Sequence, residues 1–229
     1  MNSLVYAPSG GGKTVCSTLV AAPNRGKNKL LCSDNSHIVL NNAAFKRPNL
    51  DIEVVEHWLE KDPDGTQRAS CFIKQFEAAV DSQLYDNIIV DNISDIFDMA
   101  ILDFDADGKI KDARQYYQIV YQALKRLARK AANVDCNIIF TAWTDLQPIT
   151  LHTGEQVTRT QPKLPNKILD NFLGLTQIVA YLTTAHDKSG NKRWYYHLEG
   201  APTIYAKDQA FNRKNCMPEN LFTAPEDKK

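Results

Sequence analysis

Short unbroken apolar runs alternate along this chain with stretches whose apolar residues return every three or four positions. That pattern predicts a parallel sheet covered by helices. Residues 4–7, 30–33, 52–55, 87–91 and 137–143 read as strands, and their continuous apolar character suits burial on both faces. Residues 13 to about 20 read as a helix stopped by Pro23-Asn24-Arg25-Gly26, and residues 72–80 as a second. Pro48-Asn49 and Asp62-Pro63-Asp64-Gly65 bound the third strand as turns. The clearest helix spans residues 111–132. Tyr116, Val120, Ala123, Leu124, Leu127 and Ala128 form one face, and Gln118, Gln122, Lys125, Arg126 and Arg129 the other. Its basic end, completed by Lys130, is explained by the helix dipole. Residues 178–182 and 194–197 form a hairpin around Asp187-Lys188-Ser189-Gly190-Asn191. Residues 144–163 are polar and show little periodicity. The simplest division is one domain over residues 1–215 and a loosely held Pro-, Glu- and Lys-rich tail over 216–229.

The first strand runs directly into Ala7-Pro8-Ser9-Gly10-Gly11-Gly12-Lys13-Thr14-Val15. A strand, a glycine-rich turn and Lys-Thr opening a helix form a phosphate-binding P-loop. Backbone N–H groups of Pro8–Val15 other than the proline converge on an anion, and the helix N-terminus adds to the field. Lys13 is expected to reach the β- and γ-phosphates of ATP, and the Thr14 hydroxyl to ligate Mg²⁺. Ala7 stands where the pattern has its first glycine, which is harmless if that residue keeps φ negative.

A second nucleotide element is expected at Asp91, which ends a buried strand and supplies the hard oxygen that Mg²⁺ prefers. Asp95 reads as a first-turn helix carboxylate. Hydrolysis needs a group that orients water. Asp34 after the second strand and Glu56 after the third both qualify, with Asp34 slightly favoured, and either could be an ordinary surface acid. Thr141, ending the strand after Asp91, is placed to sense the γ-phosphate or to serve simply as a β-branched strand residue. Asp103-Phe104-Asp105-Ala106-Asp107-Gly108 imitates half of a calcium loop. Its twelfth position is Arg114, so it reads as a solvated acidic turn.

Lys and Arg number 27, as do Asp and Glu, so any nucleic-acid contact must rest on local basic patches. Five scattered cysteines without a Cys-x-x-Cys pair argue against disulfides and zinc and for a reducing cytoplasm. No apolar stretch is long enough to cross a bilayer, so no membrane is expected. The first strand begins almost at Met1, which leaves no room for a signal peptide.

The order of these elements, followed by Pro162-Lys163-Leu164-Pro165-Asn166-Lys167, a hairpin with Arg193 and a closing Ala206-Lys207-Asp208, resembles the phage-encoded RecA-like nucleotide-binding proteins of the Sak type. The resemblance covers most of the chain. It implies a RecA-like α/β core with a C-terminal antiparallel hairpin, ATP and Mg²⁺ as ligands, and a DNA-recombination role on single-stranded DNA. It also implies a homo-oligomer in which Lys207 of one protomer faces its neighbour's phosphate, alongside a single-strand-binding protein as a further partner. Where the family has arginine after Ala-Lys-Asp, this chain has Gln209, with Arg213 beyond it. In RecA-like folds the segment after the Thr141 strand contacts DNA, which assigns phosphate contacts to Arg159, Lys163 and Lys167 and stacking to Trp143. Lys188, Lys192 and Arg193 are surface or phosphate-contact residues. The same core could instead serve replication as a helicase loader or motor accessory. A small-molecule kinase is a third reading, for which the sequence offers no Arg-rich lid.

Overall fold

A computed structural model describes residues 1–21, 26–61, 63–68, 70–110, 112–187 and 189–225. Its spine is β1 (Asn2–Ala7), buried along its whole length and flanked by β5 (Asn137–Thr150) and β7 (Ile178–His186), both parallel to it. Beyond β5 the sheet continues through β4 (Asn87–Asp91), β2 (Asn28–Cys32) and β3 (Leu50–Val54), all parallel. Beyond β7 it turns antiparallel with β8 (Lys192–His197) and β10 (Asn215–Cys216), while β9 (Lys207–Asp208) also pairs with β7. The expected α/β architecture with a mostly parallel sheet and a C-terminal antiparallel hairpin is therefore present.

Side chains of the central strands alternate between two cores. Leu4, Tyr6, Ile88, Val90, Ile138 and Phe140 face α2 (Phe72–Asp81), α3 (Ile93–Asp107), α4 (Ala113–Ala132) and α5 (Asn166–Leu175). Val5, Leu30, Ile89 and Ile139 face α1 (Lys13–Ser17) and short 3₁₀ turns. On this second face three rows cross three strands. Asn28, Asn87 and Asn137 begin them, with Asn87 Nδ2 donating to Asn28 at 2.7 Å and Asn137 Nδ2 to Asn87 at 2.9 Å. Leu30, Ile89 and Ile139 pair in the middle, and Cys32, Asp91 and Thr141 end the row at the carboxyl edge.

Several expectations need correction. The polar segment 144–163 is not a loop: β5 runs on past the sheet to Thr150 and pairs with β6 (Gln156–Pro162) as a two-stranded ribbon. Period-2 alternation was masked because both faces carry polar residues, and Pro148 sits where a ribbon edge tolerates it. The acidic stretch at 103–108 is the last turn of α3, closed by Gly108 at φ +63°. Asp103 is buried rather than solvated, accepting from the Trp58 and Leu59 amides at 2.8 and 3.0 Å and from Arg68 Nη1 at 2.7 Å. The first helix gives way to a 3₁₀ turn at Thr18–Ala21, and residues 23–25 of its expected stop lie outside the described residues. So do Asp62, Lys111 and Lys188 of the expected turns and helix start, and the tail residues 226–229.

The chain from Cys216 to Thr223 packs onto the domain. Leu221 is fully buried, and Arg213 is the staple. Its Nε meets Asp208 Oδ2 at 2.6 Å, and its Nη atoms donate to the carbonyls of Asn220, Leu221 and Thr223. Four of the guanidinium's five N–H groups are thus engaged within the domain, which ties Arg213 to this segment. Arg213→Ala would leave the buried Asp208 carboxylate without its counter-ion, held only by the backbone amides of residues 210, 211 and 213. A loss of about 3–5 kcal/mol is expected by urea titration; a loss below about 1 kcal/mol would show that the segment does not depend on this pair.

Candidate nucleotide site

The loop after β1 folds around its glycines. Gly10 and Gly12 have φ of +71° and +88°, a region that side chains resist. A Cβ on Gly12 would also sit 3.0 Å from Nε1 of Trp194, which β8 lays against the loop. Ala7 ends β1 within the sheet, so its methyl group is accommodated. Gly11 N donates to Pro8 O at 3.0 Å and closes the turn. Lys13 is buried, its Nζ donating to the carbonyls of Ala7 and Pro8 at 3.2 and 3.1 Å. Burial lowers its pKa, against the opposing pull of Asp91 and Asp34.

Asp91 is 2 % exposed and is held by three hydroxyls. Thr14 Oγ1 donates to Oδ2 at 2.5 Å, Thr141 Oγ1 to Oδ1 at 2.5 Å, and Ser36 Oγ to Oδ2 at 3.2 Å. Burial pushes the carboxyl pKa up, while the Thr14 and Thr141 bonds pull it back. Asp95 is raised as well, chiefly by burial and then by Asp34, Asp98 and Asp91, with a Ser33 bond opposing. The Asp34 carboxylate caps the following 3₁₀ turn, accepting from Ser36 N at 2.8 Å.

Ser9 to Val15 line a cavity of about 230 Å³ with Asp34, Ser36, Asp91 and Trp143 among its other walls, while Thr141 and Asp95 are not among its lining residues. Other expected residues lie elsewhere. Glu56 is exposed after the edge strand β3, with Ser70 Oγ donating to it at 3.4 Å. Lys207 lies on β9 and donates to Gln209 at 3.1 Å. Burial lowers the Lys207 pKa. Arg159 on β6 donates to Pro202 O at 3.2 Å, and Lys163 stands over Trp143 with Nζ 5.0 Å from the ring centre. Lys167 is exposed in the first turn of α5. Sequence reading passed over Ser36 and Trp194. Ser36 follows the favoured acid by two residues, which was a usable signal. Trp194 comes from far along the chain and gave none. The cysteines are all free thiols, and burial pushes those of Cys16 and Cys32 up to about 12.

Asp91→Asn should abolish a pH dependence. A carboxyl raised in the folded state stabilises the parent increasingly as pH falls through that raised value, until the unfolded-chain value near about 3.9 is reached. Parent stability relative to the variant should therefore rise on acidification from pH 7, measured by urea titration; a constant difference would show that the carboxyl is not desolvated. Gly12→Ala should cost about 1–3 kcal/mol from backbone strain, plus the Trp194 collision. The collision part alone should vanish in a Trp194→Ala background. An equal cost in both backgrounds would mean that the indole does not bear on the loop.

No curated protein matches the chain. Among solved structures it is similar to the flagellar accessory protein FlaH from Methanocaldococcus jannaschii, at 15% identity over 93% of this chain and 82% of that one, with a TM-score of 0.45. It is also similar to an ATPase from the type III secretion system of pathogenic bacteria, at 15% identity and a TM-score of 0.46, over 80% of this chain but only about half, 51%, of that one. The RadB recombinase matches at 12% identity over 86% of each chain, with a TM-score of 0.42. Among the described residues no helix is long and apolar enough to cross a membrane. A family model described as an AAA domain matches residues 1–210, and with a phosphate loop bonded to a buried strand-end acid at its centre, the chain belongs to that AAA-domain family of P-loop ATPases.

Proposed function

We propose that this ATPase couples ATP hydrolysis to binding of single-stranded DNA, as a RecA-like recombination protein of the phage Sak type that works as a cytoplasmic homo-oligomer. The observation that carries the reading is the course of β5. Within a few residues this strand bonds Asp91 through Thr141, walls the cavity with Trp143, and leaves the sheet as the β5–β6 ribbon. One continuous strand thus joins the nucleotide cavity to the ribbon that carries Arg159 and leads to Lys163.

The donor chemistry fits a magnesium nucleotide. Among the described residues lining the cavity, Asp34 and Asp91 outnumber the one ammonium, Lys13, so a bare triphosphate would meet an excess of negative charge. Thr14 and Asp91 offer the hydroxyl and carboxylate oxygens that hold Mg²⁺ and its waters. When bound, the ion neutralises charge on the phosphates. Lys13 leaves its carbonyl partners to bind phosphate, Asp34 orients the attacking water, and Thr141 registers loss of the γ-phosphate through Asp91. Lys207 acts on a neighbouring protomer's nucleotide.

An ATPase assay with and without single-stranded DNA tests this. Lys13→Ala should lose ATP binding in a titration. Asp34→Asn should bind ATP but hydrolyse it about 10²-fold more slowly or worse. DNA should raise the parent rate, and affinity for DNA should fall steeply with salt. If DNA and ATP analogues leave each other's affinity unchanged, the recombination reading fails and phosphate transfer to a small molecule becomes the better one.

A further inference from the structure

Sequence alone assigns the basic end of α4 to the helix dipole, but the fold gives these cations a second context. α4 and α5 pack side by side and leave a groove of about 160 Å³. Lys125 from α4 and Lys167 from α5 line it together, with the amides of Gln118, Gln122 and Asn171 and a floor that includes Phe172. Arg129 extends the same stripe of α4, one turn or about 6 Å beyond Lys125. Asn171 Nδ2 donates to the Lys167 carbonyl at 3.0 Å.

The groove lacks the carboxylates that answer cations at several other places on the surface. Lys29, Arg68, Lys109, Lys130, Arg193, Arg213 and Lys214 each sit against a carboxylate. Among the described residues Lys125, Arg126, Arg129 and Lys167 form no ion pair, and α4 itself carries no acid. The one acid of α5, Asp170, lies about 60° around the helix from Lys167 on the side away from Asn171 and Phe172. Cations drawn from two separate elements thus share one amide-lined groove whose lining holds no carboxylate. The groove also continues a path from the nucleotide cavity. Lys163, over the Trp143 ring, precedes Lys167 by four residues, in the irregular chain that leads into α5.

We propose that the α4–α5 groove is a track for the phosphodiester backbone of single-stranded DNA, entering beside Trp143 and Lys163, passing between Lys167 and Lys125, and leaving past Arg129. Cations that follow the backbone without base-specific contacts, with neutral amides between them, suit a sequence-tolerant strand. Tyr121, half-buried at the same groove, is stacked on Phe97 with the rings 6.1 Å apart, so the track relies on phosphate contacts. The proposal rests on the DNA reading above and moves the weight of contact from the ribbon to these helices.

The test is fluorescence anisotropy of a labelled oligo-dT strand with the full chain across a salt series. Each lost phosphate contact on a single strand lowers the log–log salt slope by about 0.7. Lys125→Gln with Arg129→Gln should therefore lower it by about 1.4, and affinity at 0.1 M salt by about 25-fold. Lys46→Gln with Lys74→Gln, on exposed residues away from the groove, changes net charge equally and should leave the slope unaltered. Thermal melts of both variants check folding. If the parent binds oligo-dT and the groove variant keeps its slope, the track is overturned while the DNA reading stands. Equal losses in both variants would also overturn it, in favour of a diffuse charge effect. If the parent does not bind at low salt, the DNA reading falls and the track with it.

Discussion

A carboxylate taken almost wholly out of water must be answered by donors, and at Asp91 those donors come from three parts of the fold. Thr14 belongs to the helix after the phosphate loop, Thr141 to the neighbouring strand, and Ser36 to the turn after β2. An unmade bond at a buried charge costs more than a made one returns. The three elements are thereby constrained to meet at one point, and the loop, Asp34 beside Ser36 and the ribbon strand all take their places from that meeting. Lys13 is held in reserve by two carbonyls of its own loop, a pairing that a phosphate can replace.

Much of this was legible in the sequence. Apolar runs without alternation announce strands buried on both faces, and the glycine-rich turn before Lys13 announces its ligand. What escaped reading has a common cause. Trp194 and Asp103 act through partners distant in sequence, and Arg213 through nearby residues in irregular chain, so no local period marks them. The β5–β6 ribbon has polar residues on both faces, and a pattern reader loses the strand where burial stops. The acids of the last α3 turn looked solvated because local spacing cannot reveal that Arg68 and two amides wait across the chain.

The C-terminal segment illustrates how composition misleads. Its Pro, Glu and Lys content reads as a tail, yet Leu221 is enclosed and Arg213 satisfies three carbonyls there. The same guanidinium, by being spent on cohesion, alters what an oligomer of this chain could use at its interface. Lys207, on the short strand β9, lies outside that staple and bonds Gln209 instead.

The asparagine row at the far end of the sheet bears on alignment. A strand shifted by two residues would keep the same side chains on the same face, and apolar contact alone would scarcely object. The amide row objects, because Asn28, Asn87 and Asn137 can bond one another only when all three strands start level. Four residues later, about 13 Å along the strand, the same levelness sets Asp91 beside Thr141. Fidelity at the phosphate end is thus guarded by groups that never approach the nucleotide, and errors made at the floor of the sheet would surface as chemistry at its rim.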